Sequence, residues 1–167
     1  MTLATRVPGF KSLVTNDVWL TPLSVLIGLG PFDLDPCAAP EPRPWTTAAR
    51  MISLPDDGLE EEWTGRVWLN PPFSKARAFV AKMAEHRNGV ALIPARTETD
   101  WWWDHVWKPA SGMLFIRGRV EFLYPDGLRA RAAFPGPMVL VAYGEANVAA
   151  IAKAGVRGAL VRGPFVS

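Results

Sequence analysis

The stretch Trp63-Thr-Gly-Arg-Val-Trp-Leu-Asn-Pro-Pro-Phe-Ser-Lys75 predicts a buried strand that ends in a rigid loop. Residues 66–69 form the strand, because their apolar run combines a β-branched and an aromatic residue. Two prolines follow Asn70, and proline fixes φ, lacks an N–H and keeps its predecessor out of the helical region. We therefore expect residues 70–73 to form a stiff, non-helical loop at the carboxyl end of a strand, the edge where open α/β sheets bind ligands.

The tetrapeptide Asn70-Pro71-Pro72-Phe73 carries groups that suit methyl transfer to an exocyclic amino group. The lone pair of adenine N6 is delocalised into the ring, so the free amine is a poor nucleophile. The Asn70 side-chain oxygen and the Pro71 carbonyl can each accept one N6 hydrogen and direct the lone pair toward a sulfonium methyl. Pro72 would stiffen the loop, and Phe73 would stack on a base extruded from the helix. The alternative is an ordinary Asn-Pro-Pro turn without catalytic function.

A helix is predicted directly after this loop, over residues 74–87. Ser74 is a favourable N-cap residue, and Asn88-Gly89 is expected to end the helix. Four apolar residues recur at the spacing of one helical face: Ala76, Phe79, Val80 and Met83.

Two acidic residues are expected at the tips of neighbouring strands. A short strand over residues 32–35 ends in Asp35-Pro36-Cys37-Ala38, where small residues let a ligand approach the backbone. A second strand over residues 49–54 precedes the turn that contains Asp57. For Asp35 alone, a solvated Asp-Pro turn is the alternative. Four prolines in residues 36–44 argue against a helix between these two strands.

The remaining elements follow from capping signals and apolar runs. Thr21 and Pro22 are expected to start a short helix over residues 23–29. Residues 1–17 are predicted to be an arm. Further strands are predicted over residues 90–94, 113–123, 138–143 and 158–163, and further helices over residues 99–107 and 145–154. The strands at 113–123 and 138–143 are expected to form an antiparallel hairpin at the sheet edge, where prolines 135 and 137 are tolerated.

Composition excludes several classes of protein. The chain has 167 residues with 49% hydrophobic and 20% charged residues, which indicates one globular domain over residues 1–167. A net charge of +2 permits a polyanionic partner without requiring one. One cysteine, Cys37, excludes an internal disulfide, and no apolar run is long enough to span a membrane. His86 and His105 lack metal-ligand spacing, so we expect a metal-free, soluble, intracellular protein.

Tryptophans and arginines mark candidate contact surfaces. Trp101, Trp102 and Trp103 cannot all face inward on one helix, so at least one is expected at a surface, groove or partner. The two alternatives for this tryptophan are a contact with another protein and stacking on a base. Four arginines on or near the hairpin loops indicate either a phosphate footprint or a solvated rim: Arg117, Arg119, Arg129 and Arg131.

In this order, the motifs resemble the phage-type Dam-like DNA N6-adenine methyltransferases. The similarity extends from about residue 19 to residue 143. It rests on Trp19-x-Thr21-Pro22, Leu34-Asp35-Pro36-Cys37-Ala38, Asp57-Gly58-Leu59 with Trp63, Asn70-Pro71-Pro72-Phe73-Ser74, Ile93-Pro94-Ala95-Arg96-Thr97, and Arg117-Gly118-Arg119 with Phe122.

The resemblance implies a Rossmann-like fold, S-adenosyl-L-methionine as cofactor and a flipped adenine in DNA as substrate, in a phage or prophage enzyme of the bacterial cytoplasm. The residues that it implies for the methionine end of the cofactor are Asp35, Pro36, Cys37 and Ala38, walled by Trp19, Thr21 and Pro22. Those for the adenosine are Asp57, Gly58 and Leu59. Catalysis would fall to Asn70, Pro71, Pro72 and Phe73. DNA contacts would come from Ser74, Lys75, Arg96, Thr97, Arg117 and Arg119.

Two departures from the family pattern concern the cofactor half. Cys37-Ala38-Ala39 stands where a glycine-rich turn usually follows the first strand. Residues 36–69 are too few for the full set of crossover helices. We therefore expect an abbreviated α/β methyltransferase fold with a mixed sheet and an antiparallel edge hairpin. Two other functions stay open: amino-group methylation of RNA or of protein glutamine, and DNA binding by a non-catalytic phage protein.

Overall fold

Helices cover both faces of one seven-stranded sheet. The computed structural model describes residues 17–130 and 134–166, so Arg131 and the predicted arm before Asp17 lie outside the described residues. The strands are β1 (Leu34–Asp35), β2 (Arg50–Met51), β3 (Val67–Leu69), β4 (Gly89–Pro94), β5 (Gly112–Ile116), β6 (Met138–Tyr143) and β7 (Gly158–Arg162). The helices are α1 (Leu23–Leu26), α2 (Ala76–His86), α3 (Asp100–Trp102) and α4 (Glu145–Lys153), with a 3₁₀ turn (Phe73–Lys75) before α2 and a π turn (Trp103–Trp107) after α3.

The strand order β2-β1-β3-β4-β6-β5-β7 creates a switch in direction between β1 and β3. Strands β1 to β4 are parallel to one another. From β1 the chain continues to β2 on one side of the sheet, whereas from β3 it continues to β4 on the other side. Ligands of open α/β sheets bind outside the carboxyl ends of the strands at such a switch point. Asp35 ends β1 and Asn70 follows β3, so the two predicted motifs meet there.

The predicted antiparallel hairpin is present, but its placement at the sheet edge was wrong. Strand β6 pairs with β5 on one side and with β4 on the other, over the register from Gly89↔Tyr143 to Pro94↔Met138. All six residues of β6 are buried, and a strand that is apolar on both faces belongs in the interior of a sheet. Strand β7 takes the edge instead.

Alternating side chains of the central strands supply two separate cores. In β3, Val67 and Leu69 face one core and Trp68 faces the other, as the period of two along a strand requires. The first core packs against α2, through side chains such as Phe79 and Val80. The second packs against α1 and α4. The predicted apolar face of α2 is confirmed.

Three predicted helix boundaries were wrong. Ser74 does not cap α2, since residues Phe73–Lys75 form a 3₁₀ turn first. Pro22, in extended conformation, occupies the N-cap position of α1 that was assigned to Thr21. Helix α2 ends with Arg87 in the left-handed region at φ 62°.

Gly89, which was predicted to end α2, instead starts β4 close to β3. A Cβ atom there would lie 2.3 Å from the Val67 carbonyl oxygen, so only glycine fits. The predicted continuation of β5 through residue 123 was also wrong. Strand β5 ends at Ile116, and Leu123 forms only isolated bridges with Leu20 and Arg129.

The cofactor half of the sheet is short, as expected. Residues 36–66, all of which the structure describes, contain no helix. Their connections instead run as turns and bends between β1, β2 and β3. No helix within residues 17–130 and 134–166 is long and apolar enough to cross a membrane.

Candidate active site

The loops that follow β1 and β3 touch each other at the switch point. Strands β1 and β3 pair through Leu34 and Val67, and the backbone N–H of Asn70 interacts with the Cys37 sulfur. Burial raises the pKa of the Cys37 thiol well above its ordinary value, and the neighbouring charge of Asp35 raises it further. The partly buried thiol is therefore protonated at neutral pH.

The side-chain amide of Asn70 is held in one orientation. Its Nδ2 donates to the Trp19 carbonyl oxygen at 3.0 Å and to the Thr21 hydroxyl oxygen at 3.1 Å. Both amide hydrogens are thus used, which identifies the other terminal atom as oxygen. That Oδ1 is buried and accepts no hydrogen bond from the described residues, while Asn70 as a whole is 8% exposed.

A buried acceptor without a donor is rare in folded proteins, because its desolvation is not compensated. The arrangement leaves an oriented oxygen acceptor beside the loop backbone. The next residue offers a second acceptor, since no hydrogen bond among the described residues uses the Pro71 carbonyl. The following carbonyl, that of Pro72, already accepts the Lys75 N–H at 2.9 Å.

Phe73 lies in an aromatic cluster beside this acceptor pair. Its ring is half-buried and meets Phe134 edge-on at 4.7 Å and Phe122 at 5.9 Å between centroids. The carboxylate of Asp17 accepts the backbone N–H groups of Phe73 at 2.9 Å and Ser74 at 3.1 Å, and also the Ser74 hydroxyl. Asp17 thereby caps the segment from a position remote in sequence, and sequence reasoning missed it.

Asp35 organises the loop after β1. It is 3% exposed, its Oδ1 accepts the Cys37 N–H at 3.0 Å, and its Oδ2 accepts the hydroxyl of Thr47. Burial raises the pKa of Asp35 to about 6, against the lowering effects of these two hydrogen bonds and of the Arg43 charge. No local spacing links Thr47 to Asp35, so the sequence held no signal for this contact.

Two of the other residues implied for the cofactor, Ala38 and Gly58, connect this loop to the segment after β2. A Cβ atom on Gly58 would lie 1.9 Å from the Pro36 carbonyl oxygen, so these two backbones are in direct contact. Ala38 donates its N–H to Ile52 at 2.9 Å, which ties the loop to the segment after β2. Pro22 begins α1, and Leu59 packs partly buried against the first core.

Asp57 lies at the solvent-exposed rim of the group of residues implied for the cofactor. Its Oδ1 accepts the Leu59 N–H at 2.9 Å, and Lys75 approaches its Oδ2 at 4.0 Å. Both side chains are substantially exposed, so this ion pair contributes little to stability. Lys75, assigned to DNA, therefore lies beside a residue assigned to the cofactor.

A cavity of about 290 Å³ adjoins the loop of residues 70–74, which we call the reactive loop. It brings together Ser74 and Arg96, two of the residues assigned to DNA, and adds Arg77, which the sequence analysis did not single out. Thr97 does not line it, and the Thr97 carbonyl accepts the indole N–H of Trp107 at 3.3 Å.

The tryptophan prediction is confirmed, because the three adjacent rings have different environments. Trp102 is fully buried, whereas Trp103 is 48% exposed. Trp101 is half-buried and lines the cavity next to the reactive loop.

Two arginines meet farther along the same edge. Strand β5 is parallel to β4, since both are antiparallel to β6, so Arg117 follows β5 at the edge that holds Asn70. The Arg117 N–H donates to the carbonyl of Arg157, the residue before β7, at 2.8 Å. Arg157 was not among the predicted residues. Arg119 is exposed on the adjacent loop, and Arg129 forms an ion pair with Glu121 at 2.7 Å.

A model of the family described as DNA N-6-adenine-methyltransferase (Dam) matches residues 11–153. The chain belongs to this family. A curated relative, the DNA N-6-adenine-methyltransferase of Escherichia phage T1, is 34% identical over 96 residues. The match covers 52% of this chain and 39% of the relative, so the chain spans well under half the length of that protein. No solved structure matches the chain.

Membership of the Dam family confirms the resemblance drawn from the motifs. The matched range contains the loops after β1 and β3 and both arginine-bearing loops after β4 and β5. Within the described part of the chain, no group of three or more His, Cys, Asp or Glu side chains is arranged to hold a metal ion. The groups that the structure brings together at the candidate site are amide, carboxylate, aromatic and guanidinium groups.

Proposed function

We propose that this protein, as a single domain with a Rossmann-like methyltransferase fold, methylates the N6 amino group of adenine in DNA with S-adenosylmethionine as donor. Its place of action would be the cytoplasm of a bacterial host. Membership of the Dam family supports the reaction. The switch point between β1 and β3 supports the fold, because it is where such sheets bind their ligands.

The observation that carries this proposal is the buried, unpaired Oδ1 of Asn70. A target amine is the donor that this oxygen lacks. One N6 hydrogen would go to Oδ1 and the other to the Pro71 carbonyl, which turns the nitrogen lone pair away from the ring. As positive charge develops on nitrogen, both acceptors stabilise it more strongly than they stabilise the neutral amine.

Thr21 and the Trp19 carbonyl act as positioning groups in this mechanism. By taking both amide hydrogens, they prevent the Asn70 amide from presenting its NH₂ group to the substrate. A rotation of 180° would place two donors against the amine and abolish binding. The acceptor is therefore preorganised before DNA arrives, and it needs no reorientation during the reaction.

Phe73 and Pro72 would position the extruded base next to the two acceptor oxygens. The prolines restrict the loop backbone, and the edge contacts with Phe122 and Phe134 fix the Phe73 ring. A fixed aromatic face beside the acceptor pair suits stacking on a flipped base. The excess proton on N6 would leave after methyl transfer, so no base with a tuned pKa is required.

The residues on the β1 and β2 side fit the cofactor. When bound, S-adenosylmethionine supplies an electrophilic methyl group on its sulfonium sulfur. The exposed carboxylate of Asp57 follows β2, at the place where acidic residues of related α/β folds bind a ribose hydroxyl. Asp35 would shape the loop through Cys37 and Thr47 and keep lone pairs for the methionine amino group.

The test is transfer of labelled methyl from S-adenosylmethionine to unmethylated DNA, followed by digestion to nucleosides. We expect label in N6-methyl-2′-deoxyadenosine with the wild type, and loss of at least about a hundredfold in rate with Asn70→Ala. Asn88→Ala is the matched control, because Asn88 lies before β4 at the opposite edge of the sheet and should leave the rate unchanged.

Each other result contradicts part of the proposal. Label in cytosine would overturn the adenine assignment, and label only in RNA or protein would replace DNA as the substrate. No transfer to any acceptor, together with no rise in melting temperature on adding cofactor, would leave a binding protein without catalysis.

A further inference from the structure

The cavity beside the reactive loop has the composition of a nucleotide site. Its walls come from the start of α2, the loop after β4, α3 and the residue that follows the undescribed segment 131–133. The polar and charged groups among them are Ser74, Arg77, Arg96 and Thr99, and the aromatic groups are Phe73, Trp101 and Phe134.

Both guanidinium groups of the cavity are open to a ligand. Arg77 and Arg96 are exposed, and neither side chain forms a hydrogen bond or ion pair with any described residue. The carboxylate of Asp104 is tied to Lys108 at 2.6 Å. Lys108 is also the main cause of the lowered pKa of Asp104, and Arg77 is the smallest. Two unpaired guanidinium groups on one small cavity suit a phosphate, which each can bind through two N–H donors.

Trp101 provides a rigid aromatic wall. It packs edge-on against the fully buried Trp102 at 5.7 Å between ring centroids, which limits its movement. On the other side of the cavity, Phe134 packs against Phe73 at 4.7 Å. An immobilised aromatic side chain next to cationic groups is the combination with which proteins bind unpaired bases.

The location separates this cavity from the site of the target amine. Asn70 does not line the cavity, whereas Phe73 and Ser74 are shared between the cavity and the reactive loop. The base that donates to Asn70 must lie at the loop. The cavity is therefore left for the part of the nucleic-acid strand that is attached to this base. A volume of about 290 Å³ is at the lower end of ligand pockets, which is room for one nucleotide.

We propose that this cavity binds the nucleotide adjoining the target adenine, with a phosphate on Arg77 and Arg96 and the base against Trp101. This inference rests on the proposed function, because an adjoining nucleotide exists only if nucleic acid is the substrate. The cavity would then make the enzyme sensitive to the base next to its target. It would also hold one phosphate of the DNA backbone through two arginines.

Binding to a mixed-sequence DNA duplex, measured by fluorescence anisotropy with S-adenosylhomocysteine present, tests the phosphate contacts. For Arg77→Gln and Arg96→Gln we expect Kd to rise about fivefold to tenfold at low salt, and the salt dependence of log Kd to weaken by up to about one phosphate, because both arginines hold the same phosphate. Arg87→Gln is the matched control, because Arg87 is an exposed arginine at the other end of α2. It should bind as the wild type does.

An abasic site tests the stacking contact. In a duplex that the wild type methylates, removal of the base on one side of the adenine should weaken wild-type binding about fivefold or more. For Trp101→Leu the same removal should have almost no further effect, because the stacking partner is already lost. Should Trp101→Leu fail to fold, the two exposed arginine variants still decide the phosphate contacts.

Failure of the cavity proposal and failure of the proposed reaction give different results. If Arg77→Gln and Arg96→Gln bind DNA like Arg87→Gln, the cavity proposal is wrong even when the wild type methylates adenine. It is equally wrong if abasic substitution weakens wild type and Trp101→Leu to the same extent. If both arginine variants weaken binding but the wild type transfers no methyl group, the cavity is a DNA-binding site only, and both the proposed reaction and the assignment to the nucleotide next to a target adenine are wrong.

Discussion

The hydroxyl oxygen of Thr21 lies 3.1 Å from the side-chain nitrogen of Asn70 and accepts one of its hydrogens. This contact joins the segment before α1 to the loop after β3, and together with the Trp19 carbonyl it leaves the oxygen as the unpaired end of the amide. Thr21 was assigned to the wall of the cofactor site, and nothing in the geometry excludes that role. The hydrogen bond to Asn70 adds a second role, which a substitution can separate from the first.

Thr21→Val keeps the shape of the side chain but removes the acceptor. We expect the methylation rate to fall about tenfold to a hundredfold, since a lost buried hydrogen bond costs about 1–3 kcal/mol and 1.4 kcal/mol is tenfold. Cofactor affinity, measured by calorimetry, should change less than threefold. Thr21→Ser retains the hydroxyl and should retain most of the rate. Weaker cofactor binding with an unchanged rate would instead support the cofactor wall alone.

The buried carboxylate of Asp35 should make stability fall as the pH rises from about 4 to about 6. Its pKa is raised from 3.8 to about 6 in the folded state, so the folded protein binds more protons than the unfolded chain across this window. The difference corresponds to about 3 kcal/mol at 1.36 kcal/mol per pH unit. The stability contributed by the protonated form is complete below pH 4 and is lost above pH 6.

Urea unfolding of wild type and Asp35→Asn at several pH values measures this effect. The neutral amide cannot ionise, so we expect the variant to gain about 3 kcal/mol relative to wild type between pH 4 and pH 7. Its cofactor affinity should decrease. A constant difference in stability across this range would show that Asp35 ionises normally in the folded protein.

The contact between Gly58 and Pro36 should be intolerant of any side chain. In Gly58→Ala the new Cβ would meet a backbone carbonyl oxygen at 1.9 Å, so the loops after β1 and β2 must separate. We expect a loss of about 1–3 kcal/mol in unfolding free energy and a clear loss of cofactor affinity. Gly30→Ala is the matched control, because nothing lies within 4 Å of its Cβ position. Equal melting temperatures for the two variants would contradict the close contact.

The arginine pair at the ends of β5 and β7 should contribute phosphate contacts. Arg117→Gln and Arg157→Gln are each expected to weaken DNA binding uniformly across sequences and to reduce the salt slope by about 1. Arg162→Gln removes the same charge at the opposite end of β7 and should have little effect. The measurement is log Kd against log salt concentration for one duplex. Equal slopes for all three variants would assign Arg117 and Arg157 to the solvated rim.

Most of the elements were predictable because their signals are local. The apolar run of β3, the two prolines that end it and the spacing of the α2 core residues each lie within a few residues. The order of motifs also predicted the Dam family, which the match over residues 11–153 confirms. These features depend on the backbone preferences of single residues and on the periodicity of apolar side chains. Both can be read from residues that are close together in the sequence.

The predicted pairing of β6 with β5 is confirmed, but its other neighbour, β4, could not be predicted, because the apolar run of β6 is compatible with any interior position. The pairing with β4 is determined by the packing of whole layers, which the sequence of one strand does not encode. The termini of α1 and α2 were misassigned for a related reason. The hydroxyl of Thr21 and the N–H groups that follow Pro72 find partners in distant segments, and these partners outweigh local capping.

By itself, the sequence determined the rigid Asn70-Pro71-Pro72-Phe73 loop after a buried strand and the acidic end of β1, whereas β2 ends at Met51, six residues before Asp57. Only the tertiary structure decided that both hydrogens of the Asn70 amide are taken by Trp19 and Thr21, leaving its oxygen free. The physical reason is the distance along the chain over which each effect acts. Chain stiffness and periodicity act between adjacent residues, whereas the direction of a side-chain hydrogen bond depends on which segments the packed sheet brings together.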